Sequence, residues 1–304
     1  MPVVQLQPKE FIHNAAACDG VYSRDDAQAY TRWLATNHYE NFHVVSYLLP
    51  KALHQDFYNV YAFCRWADDL GDEIGDPAES LRLLGWWRRE LDAMYRGETA
   101  HPVFVALRET VERHDIPADP FNRLISAFEQ DQTVSRYRDF DELFAYCSNS
   151  ANPVGHLVLY LGGYRDRERQ ALSDFTCTAL QLANFWQDVT VDLLKDRIYL
   201  PLDLLARHGY TEAELRLSHF NNQFKAAMRE AVDIAEDLFQ KGLPLVKQVD
   251  RRLALDLELF SRGGLKVLDK IRSQDYNVLQ SRPHISKAER VAILLRCLPR
   301  LLPF

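Results

Sequence analysis

The sequence is poor in the residues that interrupt helices or crosslink chains. Its 304 residues include only 12 glycines and 13 prolines, about 4 % each, against usual frequencies of about 7 % and 5 %. This scarcity predicts long uninterrupted helices. The 5 cysteines are odd in number and never occur as C-x-x-C, so neither a disulfide framework nor a thiolate zinc site is indicated.

Long apolar runs and an excess of basic charge are also missing. No run reaches the roughly 18 apolar residues of a membrane-spanning helix, and residues 1–20 contain Lys9, Glu10 and Asp19 but no apolar core of a signal peptide. We therefore expect a cytoplasmic protein. A formal net charge of −7 argues against nucleic-acid binding, because affinity for phosphate backbones comes from clustered Lys and Arg.

The apolar pattern is helical. Apolar residues recur at three- and four-residue steps over 57–73 and 172–194, and no run alternates with period two, so we predict an all-α chain. Ser23 and Asp76-Pro77 have the features of helix starts. No repeat or linker interrupts the chain, which predicts a single helical-bundle domain over 1–304, with its core at about 23–280 and an apolar, basic tail at about 288–304. Helix breaks are predicted near Pro50, Gly75, Pro117, Pro120, Gly162-Gly163, Pro201 and Pro244.

One predicted helix carries an acidic stripe. Arg65, Asp68 and Asp72 fall at i, i+3 and i+7, on one helix face, within the segment Tyr61-Ala-Phe-Cys-Arg65 and its apolar surroundings. Two carboxylates one turn apart repel unless they are solvated or bridged by a cation. A metal ion is therefore a plausible bridge.

About 120 residues later a second predicted helix repeats the pattern. Asn184, Asp188 and Asp192 follow each other at i+4 steps, with Gln181 one turn earlier. Oxygen ligands without His or Cys select a hard cation, and Mg²⁺ uses one or two carboxylates with waters and substrate phosphates. Although Asp at i, i+4 is common on solvated helices, two matched stripes on apolar helices favour Mg²⁺-diphosphate chemistry.

Together these motifs resemble those of the squalene/phytoene synthase family, the head-to-head isoprenoid synthases. The resemblance extends from about residue 41 to 279. It rests on Tyr61-Ala-Phe-Cys-Arg65, Asp68-Asp69-x-x-Asp72, Tyr146-Cys147, Pro153-Val154-Gly155, Gln181-x-x-Asn184, Asp188-x-x-x-Asp192 and Arg197-Ile-Tyr-Leu-Pro201.

The resemblance implies an all-α isoprenoid-synthase bundle with a central cavity, where two facing Asp-rich helices bind Mg²⁺-diphosphate. It implies that a prenyl diphosphate is the substrate. By matching position, the residues assigned to metal binding and catalysis are Asp68, Asp72, Asp188 and Asp192, with Asn184 assisting the metal and Tyr146 beside the carbocation. Those assigned to the diphosphate are Arg65 and Gln181, with Lys195 and Arg197 as weaker candidates.

Two departures narrow the interpretation. The second motif of the family usually has a Glu and a preceding Arg where this chain has Val191 and Gln187, and a C-terminal Tyr of many members is replaced within Arg262-Gly263-Gly264. Four segments resemble the bacterial hydroxysqualene synthase branch of hopanoid biosynthesis: Glu40-Asn41-Phe42, Asn152-Pro153-Val154-Gly155-His156, Asn184-Phe185-Trp186-Gln187-Asp188 and Arg262-Gly263-Gly264. That branch ionises presqualene diphosphate, rearranges the cation and captures it with water. No NADPH would be needed, which agrees with the lack of a G-x-G-x-x-G motif.

Two alternatives stay open. A condensing synthase would make presqualene diphosphate, dehydrosqualene or phytoene from prenyl diphosphates, and a non-catalytic binding or assembly protein would keep only the fold. The resemblance also makes neighbouring hopanoid-pathway enzymes candidate partners.

Further residues are candidates for secondary roles. His156 or Asn152 is a candidate for orienting the quenching water. The cavity is expected to be lined by Phe42, Phe63, Phe185, Trp186 and Tyr146, although most aromatic residues at helical spacing are simply core. The basic, apolar tail that starts at about residue 288 either packs on the body or contacts the inner face of an anionic membrane peripherally.

Overall fold

The computed structural model describes residues 5–14, 17, 20–37 and 50–297. Over these residues the prediction of an all-α chain is confirmed, and the extended pairing present is one isolated bridge between Arg136 and Ile198. The helices of the described residues are α1 (Pro8–Ile12), α2 (Arg24–Asn37), α3 (His54–Asp72), α4 (Pro77–Tyr95), α5 (Pro102–His114), α6 (Asp119–Gln130), α7 (Phe140–Ser150), α8 (Asn152–Leu161), α9 (Arg167–Leu194), α10 (Leu202–Arg207), α11 (Glu212–Arg216), α12 (Asn222–Gly242), α13 (Arg251–Ser273) and α14 (Lys287–Cys297), with short 3₁₀ turns at Lys51–Leu53 and Leu243–Lys247.

The helix starts predicted from the sequence are confirmed by their capping bonds. The Ser23 hydroxyl accepts from the backbone N–H of Asp26 at 3.2 Å immediately before α2. The Asp76 carboxylate accepts from the N–H of Ala78 at 2.9 Å, and Pro77 is the first residue of α4. Each cap satisfies a donor that the first helical turn leaves without a partner.

The chain divides into two compact units, Met1–Thr133 with His156–Arg165 and Val134–Gly155 with Asp166–Phe304. The expectation of one domain over the whole chain stays a prediction. In the first unit α3 is central, since α1, α2, α4, α5 and α6 all pack on it. Its core is aromatic: the indoles of Trp66 and Trp87 stack with ring centroids 5.0 Å apart, and Phe63 meets Phe121 edge to face at 4.8 Å.

In the second unit α9 is the long central helix, and α7, α12 and α13 pack against it. Its start is fixed by Asp166, whose carboxylate accepts from the N–H of Arg169 at 3.0 Å. The fully buried Trp186 faces α12, where its indole N–H donates to the Ala231 carbonyl at 3.0 Å. One face of α9 is therefore committed to the core.

Two glycines allow the close packing around α9. A Cβ built on Gly242 would overlap the Thr176 hydroxyl and lie 3.0 Å from the Thr176 backbone nitrogen, and one on Gly264 would overlap the Phe239 ring. Gly264 thus accounts for part of the departure seen in the Arg262-Gly263-Gly264 segment, because a larger residue there would displace a buried ring.

No helix in the described part of the chain is long and apolar enough to cross a membrane.

Candidate active site

The first acidic stripe lies on α3, in the first unit. Asp68 and Asp72 are both half-buried on this helix, at the spacing the sequence predicts. The Arg65 guanidinium donates to the Asp68 carboxylate at 3.1 Å, so the three residues form one polar strip on a helix whose other faces are buried.

Asp69, which sequence reasoning passed over, holds the other arm of Arg65. Its carboxylate lies 2.5 Å from Arg65 Nη2, and only 6 % of the side chain is exposed. Burial raises the pKa of Asp69 to about 6, against the opposing effect of the Arg65 charge. The i, i+4 spacing from Arg65 is the signal that could have identified it. Arg65 Nε is buried and has no hydrogen-bond partner, so this guanidinium still has a donor to offer.

The second stripe lies on α9, in the second unit. Asn184 is exposed, and Gln181, Asp188 and Asp192 are half-buried along the same helix. Asp192 lines a small cavity in this unit together with Arg197 and Tyr199. Burial, reinforced by the charge of Asp188, raises the pKa of Asp192 to about 7. One of its carboxylate oxygens is buried without a hydrogen-bond partner.

Arg282 is a further candidate site residue, which the sequence analysis does not identify. Its guanidinium grips both carboxylate oxygens of Asp188, through Nε to Oδ1 and through Nη2 to Oδ2 at 3.1 Å. The next residue is held as well, because the Gln187 amide donates to the Pro283 carbonyl at 2.5 Å. Gln187 therefore serves as an anchor for the segment that carries Arg282. Arg282 and Asp188 are 94 positions apart in the sequence, so the local sequence pattern does not predict their contact.

The two weaker phosphate candidates, Lys195 and Arg197, lie where α9 ends. Between them Asp196 has a positive φ of 55° and is held by Arg136 and by Arg216, whose Nη2 lies 2.6 Å from its carboxylate. The loop is also fixed through its backbone, since the N–H of Ile198 donates to the Ser135 carbonyl at 2.9 Å. The backbone that carries Lys195 and Arg197 is therefore held in place by contacts within the second unit.

Tyr146 belongs to an aromatic cluster of the second unit. Its ring centroid lies 6.3 Å from that of Phe185 and 6.0 Å from that of Tyr199, and Phe185 and Tyr199 stack almost in parallel at 3.7 Å. Phe185 and Tyr199 also line the cavity that contains Asp192. An aromatic, non-nucleophilic wall thus lies beside a carboxylate and an arginine.

The remaining residues expected to line the cavity, and the two candidates for orienting the quenching water, are buried wherever the structure describes them. Phe63 and Trp186 are completely buried in their units, and Phe42 lies outside the described residues. Asn152 is 6 % exposed, and its side-chain oxygen accepts from the Thr178 hydroxyl at 2.9 Å. His156 is also buried.

The donor set suits a hard divalent cation shared with a substrate. Across the described residues, no three His, Cys, Asp or Glu side chains converge to form a complete metal centre. Each stripe instead offers two carboxylates, and Asp192 has a buried carboxylate oxygen without a hydrogen bond. This is the ligand supply of Mg²⁺ sites that complete their coordination with water and substrate phosphates.

Comparison with known proteins identifies the family of the chain. The family model described as squalene/phytoene synthase matches residues 35–289. A phytoene synthase of Thermus thermophilus is 32 % identical over 84 % of this chain and 87 % of that protein, and one of Arthrospira platensis is 28 % identical over 91 % and 93 %.

Solved structures give the same result for the fold. The crystal structure of squalene synthase HpnC from Alicyclobacillus acidocaldarius superimposes with a TM-score of 0.81 at 42 % identity, covering 84 % of this chain and 96 % of that one. Family enzymes use prenyl diphosphates and generally depend on a divalent metal. The chain therefore belongs to the squalene/phytoene synthase family of head-to-head isoprenoid synthases.

Proposed function

We propose that this enzyme is a hydroxysqualene synthase, which converts presqualene diphosphate and water into hydroxysqualene and diphosphate with Mg²⁺. The observation that carries the proposal is the altered second motif. Gln187 and Val191 stand where the family usually has Arg and Glu, so the site has one charge of each sign fewer for handling two diphosphates. The strong similarity to a structure described as squalene synthase HpnC supports a C30 product.

The diphosphate leaves with the electron pair of its C–O bond, so negative charge develops on its oxygens. Bound divalent cations would neutralise part of that charge. The residues that would hold them are Asp68 and Asp72 in the first unit, and Asn184, Asp188 and Asp192 in the second. The protein's own cations share the task. Arg65 has an unused buried Nε donor, and Arg282 already lies against Asp188.

Ionisation leaves a cyclopropylcarbinyl cation that must rearrange before it is captured. Tyr146, Phe185 and Tyr199 offer aromatic faces, which stabilise a cation without forming a bond to it. All three side chains are at most 8 % exposed, so bulk water is kept from their rings. Premature capture of the cation is thereby limited.

The reaction ends when one water oxygen bonds to the rearranged cation and releases a proton, to the departing diphosphate or to solvent. Asn152 is our candidate for orienting this water. Its amide oxygen is occupied by Thr178, which leaves its N–H groups as donors. In Asn152→Leu we expect more elimination product relative to alcohol, with Thr178→Val as the control that removes only the anchoring bond. An unchanged alcohol fraction in Asn152→Leu would exclude this role.

A second candidate function is condensation of two prenyl diphosphates. It is favoured by the curated relatives, which are named phytoene synthases. The two functions differ in what they consume, so one experiment separates them. Purified enzyme is incubated with Mg²⁺ and presqualene, farnesyl or geranylgeranyl diphosphate, without a reductant, and the lipids are identified by mass spectrometry.

Hydroxysqualene from presqualene diphosphate alone is the expected result. Consumption of farnesyl or geranylgeranyl diphosphate would make the enzyme a condensing synthase and overturn the proposal. Turnover of none of the three, together with no Mg²⁺-dependent diphosphate binding, would favour a non-catalytic role on the same fold.

A further inference from the structure

The last described helix, α14, has a face that the proposed reaction does not use. It begins in a capping box: the Ser286 hydroxyl accepts from the N–H of Glu289 at 3.3 Å, and the Glu289 carboxylate accepts from the N–H of Ser286 at 2.9 Å. This box starts the helix at Lys287, and α14 then runs for 11 residues to Cys297.

The inner face of α14 is tied to α13. The Glu289 carboxylate lies 2.6 Å from Lys270 Nζ and 3.4 Å from Lys266 Nζ. One turn further on, Ile293 is half-buried, and Cys297 at the end of the helix is completely buried. Residues 289, 293 and 297 thus mark the side that packs on α13, and they fix the rotation of the helix about its axis.

The opposite face is apolar and exposed. Successive helical residues turn by about 100°, so Ala288, Val291, Ala292 and Leu295 come together on the side away from Glu289. All four are exposed, Val291 to 55 % and Leu295 to 59 %. Large aliphatic side chains that are exposed next to each other indicate a surface that binds another apolar surface.

Basic residues flank this apolar face. Lys287, Arg290 and Arg296 are all exposed, and none of them has an acidic partner among the described contacts. The only acidic residue between 282 and 297 is Glu289, which is turned inward to α13. The surface is thus locally basic in a protein whose net charge is −7.

We infer that α14 is an interfacial helix that docks the enzyme onto an anionic lipid bilayer. Ala288, Val291, Ala292 and Leu295 would enter the boundary between headgroups and acyl chains, while Lys287, Arg290 and Arg296 would meet the anionic headgroups. A narrow apolar face with cations along its borders is the pattern of helices that lie in the membrane plane. An acidic protein partner would engage the cations but gives no reason for the exposed aliphatic residues between them.

If the enzyme has the proposed function, docking through α14 would also place the reaction next to the membrane that holds its lipid substrate and product. Arg282, which grips Asp188, comes five residues before the first residue of α14, and Pro283 is bonded to Gln187 of α9. The docking helix and the second acidic stripe are therefore joined by a short, fixed segment. A C30 product leaving such a site would not have to cross water to reach a bilayer.

The test is cosedimentation of the full chain with vesicles, without substrate. Vesicles of phosphatidylcholine alone are compared with vesicles containing an equal part of phosphatidylglycerol. We expect binding to the anionic vesicles that weakens as salt is raised. Replacing Lys287, Arg290 and Arg296 together by Gln should weaken binding about 100-fold, since each cation near an anionic surface contributes about fivefold.

Control variants distinguish binding through this surface of α14 from general effects of net charge or of exposed apolar side chains. Lys241, Lys247 and Arg251 are exposed basic residues elsewhere in the same unit, and their replacement by Gln changes the net charge equally. We expect them to leave binding within about twofold.

The apolar contribution is tested by Val291→Ser with Leu295→Ser, which should weaken binding at least about tenfold. The matched control is Val21→Ser with Leu217→Ser, because these side chains are 95 % and 81 % exposed elsewhere. All the changed positions are exposed, so circular dichroism should show unchanged folding.

Absence of binding to anionic vesicles would overturn the inference. So would equal losses in the α14 and control variants, which would indicate non-specific attraction. Binding that survives the serine changes and is matched by binding to polyglutamate would instead identify an acidic protein partner. Turnover of detergent-dispersed presqualene diphosphate, measured in parallel, should be unchanged in the α14 variants. A failure of docking and a failure of the proposed reaction are thus distinguishable.

Discussion

The pairing of Arg282 with Asp188 predicts that one substitution, Arg282→Gln, has opposite effects on metal binding and on turnover. The guanidinium contacts both carboxylate oxygens of Asp188 and therefore competes with any cation for them. The side chains are 51 % and 26 % exposed, so the pair contributes at most about 1 kcal/mol. Removing Arg282 should therefore tighten the binding of Mn²⁺ alone by up to about fivefold and change the free energy of unfolding by less than about 1 kcal/mol.

Turnover should move the other way. Loss of a preorganised donor that stabilises developing charge typically lowers the rate about 100- to 1,000-fold, and we expect a loss of this size in diphosphate release from presqualene diphosphate. The turnover of Arg282→Lys should lie between those of the unsubstituted enzyme and Arg282→Gln, because an ammonium keeps the charge but not the bidentate contact. Free Mn²⁺ can be followed by electron paramagnetic resonance and diphosphate release by a coupled assay.

The control is Arg207→Gln, which makes the same charge change. Arg207 is 53 % exposed and pairs at 2.9 Å with Glu230, which belongs to neither acidic stripe. It should leave both measurements within about twofold of the unsubstituted enzyme. Unchanged turnover in Arg282→Gln would refute the role of this arginine in stabilising the leaving diphosphate. A lower Mn²⁺ affinity in Arg282→Gln would refute its competition with the cation for Asp188.

Two further predictions concern stability. Asp256 is 3 % exposed, its carboxylate has no hydrogen-bond partner, and burial raises its pKa to about 7, so the folded protein holds a proton that the unfolded chain releases above about pH 4. The free energy of unfolding should therefore fall as the pH rises from about 4 to 7. In urea denaturation, Asp256→Asn should stabilise the protein by roughly 2–4 kcal/mol at about pH 8 but not at about pH 4. Equal effects at both pH values would contradict this prediction. Gly242→Ala should destabilise the folded protein by about 1–3 kcal/mol, because the new Cβ meets the Thr176 backbone. Gly263→Ala, where a Cβ has open space, should be neutral or stabilise the protein by up to about 1 kcal/mol. Equal losses of stability in the two variants would show that packing at Gly242 is not the cause.

The family and the acidic residues could be predicted because the relevant signals are local in sequence. Arg65, Asp68 and Asp72 share a helix face by spacing alone, and Asp188 and Asp192 do the same, so any chain that forms these helices presents both stripes. The helix starts at Ser23 and Asp76 were predictable for the same reason, since a cap lies within three residues of the donors it satisfies.

Residues recruited from a distance could not be predicted in this way. Arg282 reaches Asp188 across 94 positions of sequence, and Arg136 reaches Asp196 across 60. Asp69 was visible in the sequence as one more acidic residue, but its burial against Arg65 depends on which side of α3 meets the core.

The helical architecture, the family and the placement of each oxygen-bearing stripe on one helix face follow from the amino-acid order, because helical periodicity places residues three and four apart on one face in any context. Which charged side chains pair, including Arg282 with Asp188, and which face of α14 stays exposed depend on the tertiary structure. Burial and long-range pairing depend on how helices pack, and packing is set by contacts between residues that are far apart in the chain.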